Sequence, residues 1–254
     1  RLIKMIKYEF PLNERIRKFL RIEEIFRKME AQIKNKKDFS AHSCFSTYFD
    51  ILSCASRADI KVELIQEIEK QRLKLKSKIR TKKNIKTISD LNRIRIKLEK
   101  IKVVTGFNFG GDKFLHELKT RSDSPYGIVT TDFPEFQFWL QRTSFVERKT
   151  YFKNKVSDFA SIRIAITYLM ELLRSNVEIK SMETKTGTIQ YKLNPLLRND
   201  LVIIILPSSS KCFPSISSNN FAVNVHFSSG LSDAILKTFI LSKLVKFKLG
   251  IASF

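Results

Sequence analysis

Three histidines, three cysteines and a run of lysines are the residues in this chain best equipped for chemistry. A zinc site groups His and Cys at short spacings, and a catalytic thiol needs a base beside it. His42, His116 and His226 lie far apart, outside any H-E-x-x-H or C-x-x-C pattern. Cys44 and Cys54 are ten residues apart, too far for one metal on a straight helix, and they read as small buried fillers. A Cys44–His116 pair would have to be assembled by the fold, since nothing local supports it. The segment Gly106 to Lys113 has the glycines of a phosphate loop without its G-K-[ST] ending. Ser208 to Ser210 has no G-x-S-x-G context. The sequence therefore predicts no catalytic residue, no metal site and no cofactor.

The lysines point instead to binding. The 254 residues carry 47 Lys+Arg against 25 Asp+Glu, a formal charge of +22. From Lys70 to Lys100 there are 13 basic and two acidic side chains. Such a block is either an electrostatic footprint for nucleic acid or an acidic protein surface, or a solvated helical face. Helix-turn-helix, C₂H₂ and RNP patterns are not evident. The stripe of Trp139 and phenylalanines at helical spacing reads as core rather than as a base-stacking platform.

The elements that must position these groups follow from periodicity. An apolar fraction of 43% with 21 Phe excludes a disordered chain, and seven Gly leave little room for glycine-rich nucleotide loops. Asn13 is a good N-cap behind Pro11, and Ile16, Phe19, Ile22, Phe26 and Met29 recur at three and four, so a helix runs to about Gln32. A second helix spans about Phe39 to Ala55. A third starts near Asp59 and fades toward Arg80, and a fourth starts at Ser89 or Asp90. Asp112 caps a short helix to about Arg121. Asp132 with Pro134 opens another. One long helix is expected from about Val146 to Arg174.

Near Asn176 the period changes to two. Val177 to Lys180 and Thr188 to Leu193 read as a hairpin across a Gly187 turn. Leu201 to Leu206 reads as a buried strand, Asn220 to Phe227 as a further strand, and Lys243 to Ile251 as a closing edge strand. The fold class is α+β, an N-terminal helical domain (10–175) followed by a small antiparallel β domain (176–254), joined by an N-terminal strand (1–9). Three scattered cysteines predict no disulfide framework and a reducing compartment. The longest purely apolar run, Leu201 to Leu206, is far short of a membrane span. No signal peptide is read at the N-terminus, where Met5 is the first methionine.

Three stretches carry a resemblance. They are YEFPLNERIRKFLRIE from Tyr8 to Glu23, VELIQEIEKQR from Val62 to Arg72, and DFPEFQFWL from Asp132 to Leu140. In order and spacing the chain resembles, over about residues 5–227, the Z-ring-associated protein D (ZapD) family of bacterial cell-division factors. The match weakens after Ser228, where Gly230 to Ser242 looks inserted. The resemblance implies a cytoplasmic homodimer acting at mid-cell without catalysis. Its partner would be the C-terminal tail peptide of FtsZ, the tubulin-like division protein, and a dimer with two tail sites would bundle FtsZ filaments. Carried over by position, the family's basic pocket falls on Arg21, Arg57, Lys113 and Arg121. The family's His before Trp-Leu falls on Gln137. Two arginines of its β-domain motif are replaced by Asn220 and Asn224. The alternative partner, from the lysine block, is nucleic acid.

Overall fold

The computed structural model describes residues 4–37, 39–78, 81–101, 111–229 and 244–254. Of the sequence's Gly106–Gly111 break only Gly111 is among these residues, and its Gly230–Ser242 insertion lies outside them. Chain contacts form two compact units, Arg1–Leu20 with Met170–Phe254, and Arg21–Leu169. Eight helices precede most of the strands among the described residues, so the class is α+β with antiparallel sheets.

The unit of Arg21–Leu169 is helical. It contains most of α1 (Glu14–Lys34), then α2 (Ala41–Ala55), α3 (Ala58–Lys76), α4 (Lys82–Glu99), α5 (Lys113–Ser122), α6 (Pro134–Arg142), α7 (Phe145–Ser157) and the start of α8 (Ala160–Ser175). Its core gathers around Phe45 of α2. Phe152, Trp139, Phe136 and Tyr151 surround that ring at centroid distances of 4.8, 5.4, 5.8 and 6.0 Å. Edge-to-face pairs of this kind add to what their buried area contributes. The Trp139–Phe stripe is thus core.

Two helix boundaries differ from expectation. The helix expected from Val146 to Arg174 is broken at Asp158 and Phe159 into α7 and α8. At the break Phe159 N donates to the Val156 carbonyl at 3.0 Å, three residues back, where a continuous helix would reach four. The fourth helix begins at Lys82, well before Ser89, because the Thr81 hydroxyl accepts from Asn84 N at 3.1 Å and caps it.

The other unit holds two antiparallel sheets. One has the order β1 (Met5–Pro11), β4 (Leu201–Pro207), β7 (Val245–Ala252), β2 (Glu178–Thr184). The other has the order β3 (Thr188–Lys192), β6 (Ala222–Ser229), β5 (Cys212–Ser218). Their facing side chains form one core, with Val202, Ile204, Phe247 and Leu249 from the first sheet and Val223, Val225 and Phe227 from the second. The Phe227 and Phe247 rings sit 4.8 Å apart. β4 is buried on both faces, as its unbroken apolar run requires.

The sheet partners correct three expectations. β2 and β3 are not a hairpin: β2 pairs with β7 and β3 with β6. Met182 and Ile189 both pack on the shared core, one from each sheet. The chain changes sheets across Gly187, whose φ of +72° suits glycine. β7 is an interior strand between β4 and β2, not an edge. β5, with Pro214 and its serines, had no counterpart in the sequence reading; it is an edge strand, where a proline is tolerated.

Candidate partner-binding site

Asn13 starts α1. Its side-chain oxygen accepts from Ile16 N at 3.0 Å, and its Nδ2 donates to the buried Asp200 at 2.7 Å. From there Ile16, Phe19, Ile22, Phe26, Met29 and Ile33 are buried on one stripe of α1. Arg21 falls off that stripe and is exposed, with no ion pair among the described residues. Arg57 stands at the junction of α2 and α3, as the residue before the first turn of α3. Its Nε meets Asp59 at 3.1 Å, and its side chain remains 65% exposed.

Cys54 lies within electrostatic reach of both arginines. Burial pushes its thiol up, Asp50 pushes it further, and the charges of Arg57 and Arg21 pull it back. The net displacement is upward. Two guanidinium groups from distant points of the sequence therefore act on one half-buried sulfur. Each presents a planar fork suited to a carboxylate.

The other predicted positions behave differently. Lys113 is exposed in the first turn of α5, which Asp112 caps by accepting from Leu115 N at 3.1 Å. Asp112 also holds Lys155 at 2.9 Å. Arg121, at the far end of α5, is already engaged. It lies 3.4 Å from Asp132, 3.6 Å from Glu117, and 4.8 Å over the Phe133 ring. Its work in this fold is to fasten α5 to the start of α6. Gln137 is exposed on α6, opposite the buried Phe136.

Asn220 and Asn224 belong to the β-sheet unit. Asn220 is exposed in the β5–β6 turn, where Asn219 accepts from Phe221 N and Ala222 N at 2.9 and 2.8 Å. Asn224 accepts from Gln190 Nε2 at 3.0 Å. It lines an open groove of about 540 Å³ with Thr188, Gln190, Ser215, Ser217 and His226. The sequence reading missed this neutral polar face. The alternation of Asn224 and His226 with Val223, Val225 and Phe227 was its only signal, and β5 supplies the other half.

The catalytic and metal candidates gain no geometry. Cys44 is buried and its thiol is pushed up to about 11, the opposite of an activated nucleophile. Among the described residues, no three His, Cys, Asp or Glu side chains are grouped to hold a metal. No helix among them is long and apolar enough to cross a membrane.

The lysine block forms the exposed side of the α3–α4 pair. Arginines and carboxylates tie the two helices together. Glu69 takes Arg72 at 2.5 Å and Arg95 at 3.4 Å, and Arg95 also reaches Glu99 at 2.6 Å. Lys61 of α3 donates to the carbonyls of Glu99 and Ile101 at 3.2 and 2.6 Å, closing the C-terminal end of α4.

A family model described as "ZapD: Cell division protein" matches residues 20–226. A Cell division protein ZapD from Azoarcus sp. (strain BH72) is 32% identical over 228 residues, covering 88% of this chain and 90% of the relative. One from Nitrosomonas eutropha is 30% identical over 254 residues, covering 98% and 100%. One from Janthinobacterium sp. (strain Marseille) is 29% identical over 256 residues, covering 98% and 100%.

Proposed function

Because the chain belongs to the ZapD family of cell-division proteins, we propose that it binds the C-terminal tail of FtsZ. As a cytoplasmic homodimer at the division site, it would then cross-link FtsZ filaments, without catalysis. The observation that carries this reading is the exposure of Arg21 and Arg57, the two arginines onto which the resemblance carries the family's basic pocket. A short acidic tail needs fixed positive charge with spare donors. Arg21 has no ion pair among the described residues, and Arg57 spends only one nitrogen on Asp59. Each charge-assisted hydrogen bond to a tail carboxylate contributes about 1.5–3 kcal/mol when shielded, and less when exposed.

Lys113 and Gln137 are the exposed secondary positions of this site. Arg121 contributes only by leaving Asp132 and Glu117, so its share is small. On the sheet face the two asparagines offer hydrogen bonds and no charge. Tail recognition in this chain therefore leans on the helical arginines. Two tails held by two protomers convert weak single contacts into filament cross-linking through effective concentration.

Low-speed sedimentation of FtsZ filaments tests the proposal. Added protein should pellet filaments of full-length FtsZ and leave tail-truncated filaments in the supernatant. Equal pelleting of both would contradict tail-dependent cross-linking.

A further inference from the structure

Between Glu69 and Asp90 the sequence has nine basic residues and no carboxylate. The structure divides the labour there between arginine and lysine. Arg72, Arg93 and Arg95 hold Glu69, Asp90 and Glu99. The lysines join no ion pair among the described residues. On α3, Lys70, Leu73 and Lys74 follow each other at helical spacing, all exposed. On α4, Lys82, Ile85 and Lys86 repeat the pattern, all exposed. Leu73 and Ile85 are 64% and 55% exposed, each with a lysine one residue after it and another three before.

We propose that this face of the α3–α4 pair docks on an anionic phospholipid surface. Unpaired lysines are drawn to an anionic leaflet, each with its own contribution that salt weakens. An aliphatic side chain set between lysines can enter the headgroup–acyl boundary while the ammonium groups snorkel to the phosphates. Such residues gain nothing from a nucleic-acid backbone. The chemistry of single-strand binding is also missing, since residues 58–101 contain no Phe, Tyr or Trp on which a base could stack. Among the described residues, the arginines of α3 and α4 that could form forked phosphate contacts, Arg72, Arg93 and Arg95, are engaged with Glu69, Asp90 and Glu99.

Vesicle co-sedimentation of the full chain tests this, with phosphatidylglycerol-containing and pure phosphatidylcholine vesicles at about 0.15 M salt. A DNA duplex of equal total charge serves as competitor. The anionic vesicles should pull the protein down and the neutral ones should not. The variant K70Q/K74Q/K82Q/K86Q should lose partition several-hundredfold, at about fivefold per lysine. The variant L73S/I85S keeps every charge and should lose roughly tenfold or more. Both variants should keep the parent's far-ultraviolet circular dichroism, which separates lost docking from lost folding. Equal binding to both vesicle types, no binding to either, or displacement by the duplex at equal charge would each overturn the proposal.

Discussion

Asp200 is where a single change should cost the β-sheet unit most for its size. The residue is fully buried and receives three donors. Asn13 Nδ2 reaches it at 2.7 Å, Arg198 Nε at 2.8 Å, and Phe254 N at 2.8 Å. Through these bonds one carboxylate ties the start of α1, the start of β4 and the segment after β7. In Asp200→Ala, Arg198 can turn to water, because its side chain is 37% exposed. The Phe254 N–H has no such exit, and Asn13 Nδ2 is half-buried. At about 1–3 kcal/mol for the stranded Phe254 donor and about 1 kcal/mol for the bond Asn13 loses, the loss should be near 3 kcal/mol. For a chain of this size that is a fall in Tm of roughly 6–12 °C. Asp200→Asn keeps the shape and one accepting oxygen but turns an NH₂ toward donors, so about half that loss is expected. Arg198→Ala leaves the Asn13 and Phe254 bonds to Asp200 in place and should cost less than Asp200→Ala. Urea unfolding followed by circular dichroism reads all three. An Asp200→Ala midpoint within about 1 kcal/mol of the parent, at unchanged m, would refute the account of this hub.

Three further outcomes follow from single contacts. A Cβ at Gly250 would stand 2.6 Å from Val177 Cγ2 and 2.9 Å from the Glu178 carbonyl, so Gly250→Ala should destabilise by about 1–3 kcal/mol in the same unfolding experiment. Burial raises the Glu9 carboxyl, but hydrogen bonds and charge from Arg174 and Lys7 outweigh it and hold it below the ordinary glutamate value. That contribution is complete above the unfolded value and disappears as pH falls through the depressed one, so the stability–pH curve of Glu9→Gln should be flatter below about pH 4.5. Ser144 and Glu147 form a reciprocal cap on α7, so Ser144→Ala should cost about 1 kcal/mol by urea unfolding, and Glu147→Gln less.

What the sequence made legible was local. Asn13 could be read as a cap because the N–H its side chain accepts from lies three residues away, and the α1 stripe and the β4 run state their burial directly. Strand partners are a different matter. β2 and β3 are adjacent in sequence and alternate cleanly, yet they join different sheets, because each completes a ladder with a strand from much later in the chain. β7 read as an edge for the same reason: its lysines suit a border strand, and nothing nearby reveals that β2 covers its second side. The α7–α8 break shows only in the backbone, where Phe159 N turns to the Val156 carbonyl.

The candidate site divides in the same way. Family resemblance named its positions, but only the fold shows that Arg21 and Arg57 stand exposed. Only the fold shows that Arg121 is already taken by Asp132, Glu117 and Phe133. The groove beside Asn224 needed β5, whose proline and serines resemble a loop when read alone.

The most direct measurement is fluorescence anisotropy of a labelled FtsZ C-terminal peptide titrated with this protein at about 0.15 M salt, beside a scrambled peptide of the same composition. The account predicts saturable binding of the native peptide, weakened at least about tenfold by Arg21→Ala or Arg57→Ala and little changed by Asn220→Ala. Equal binding of the scrambled peptide, or native binding indifferent to both arginines, would contradict it.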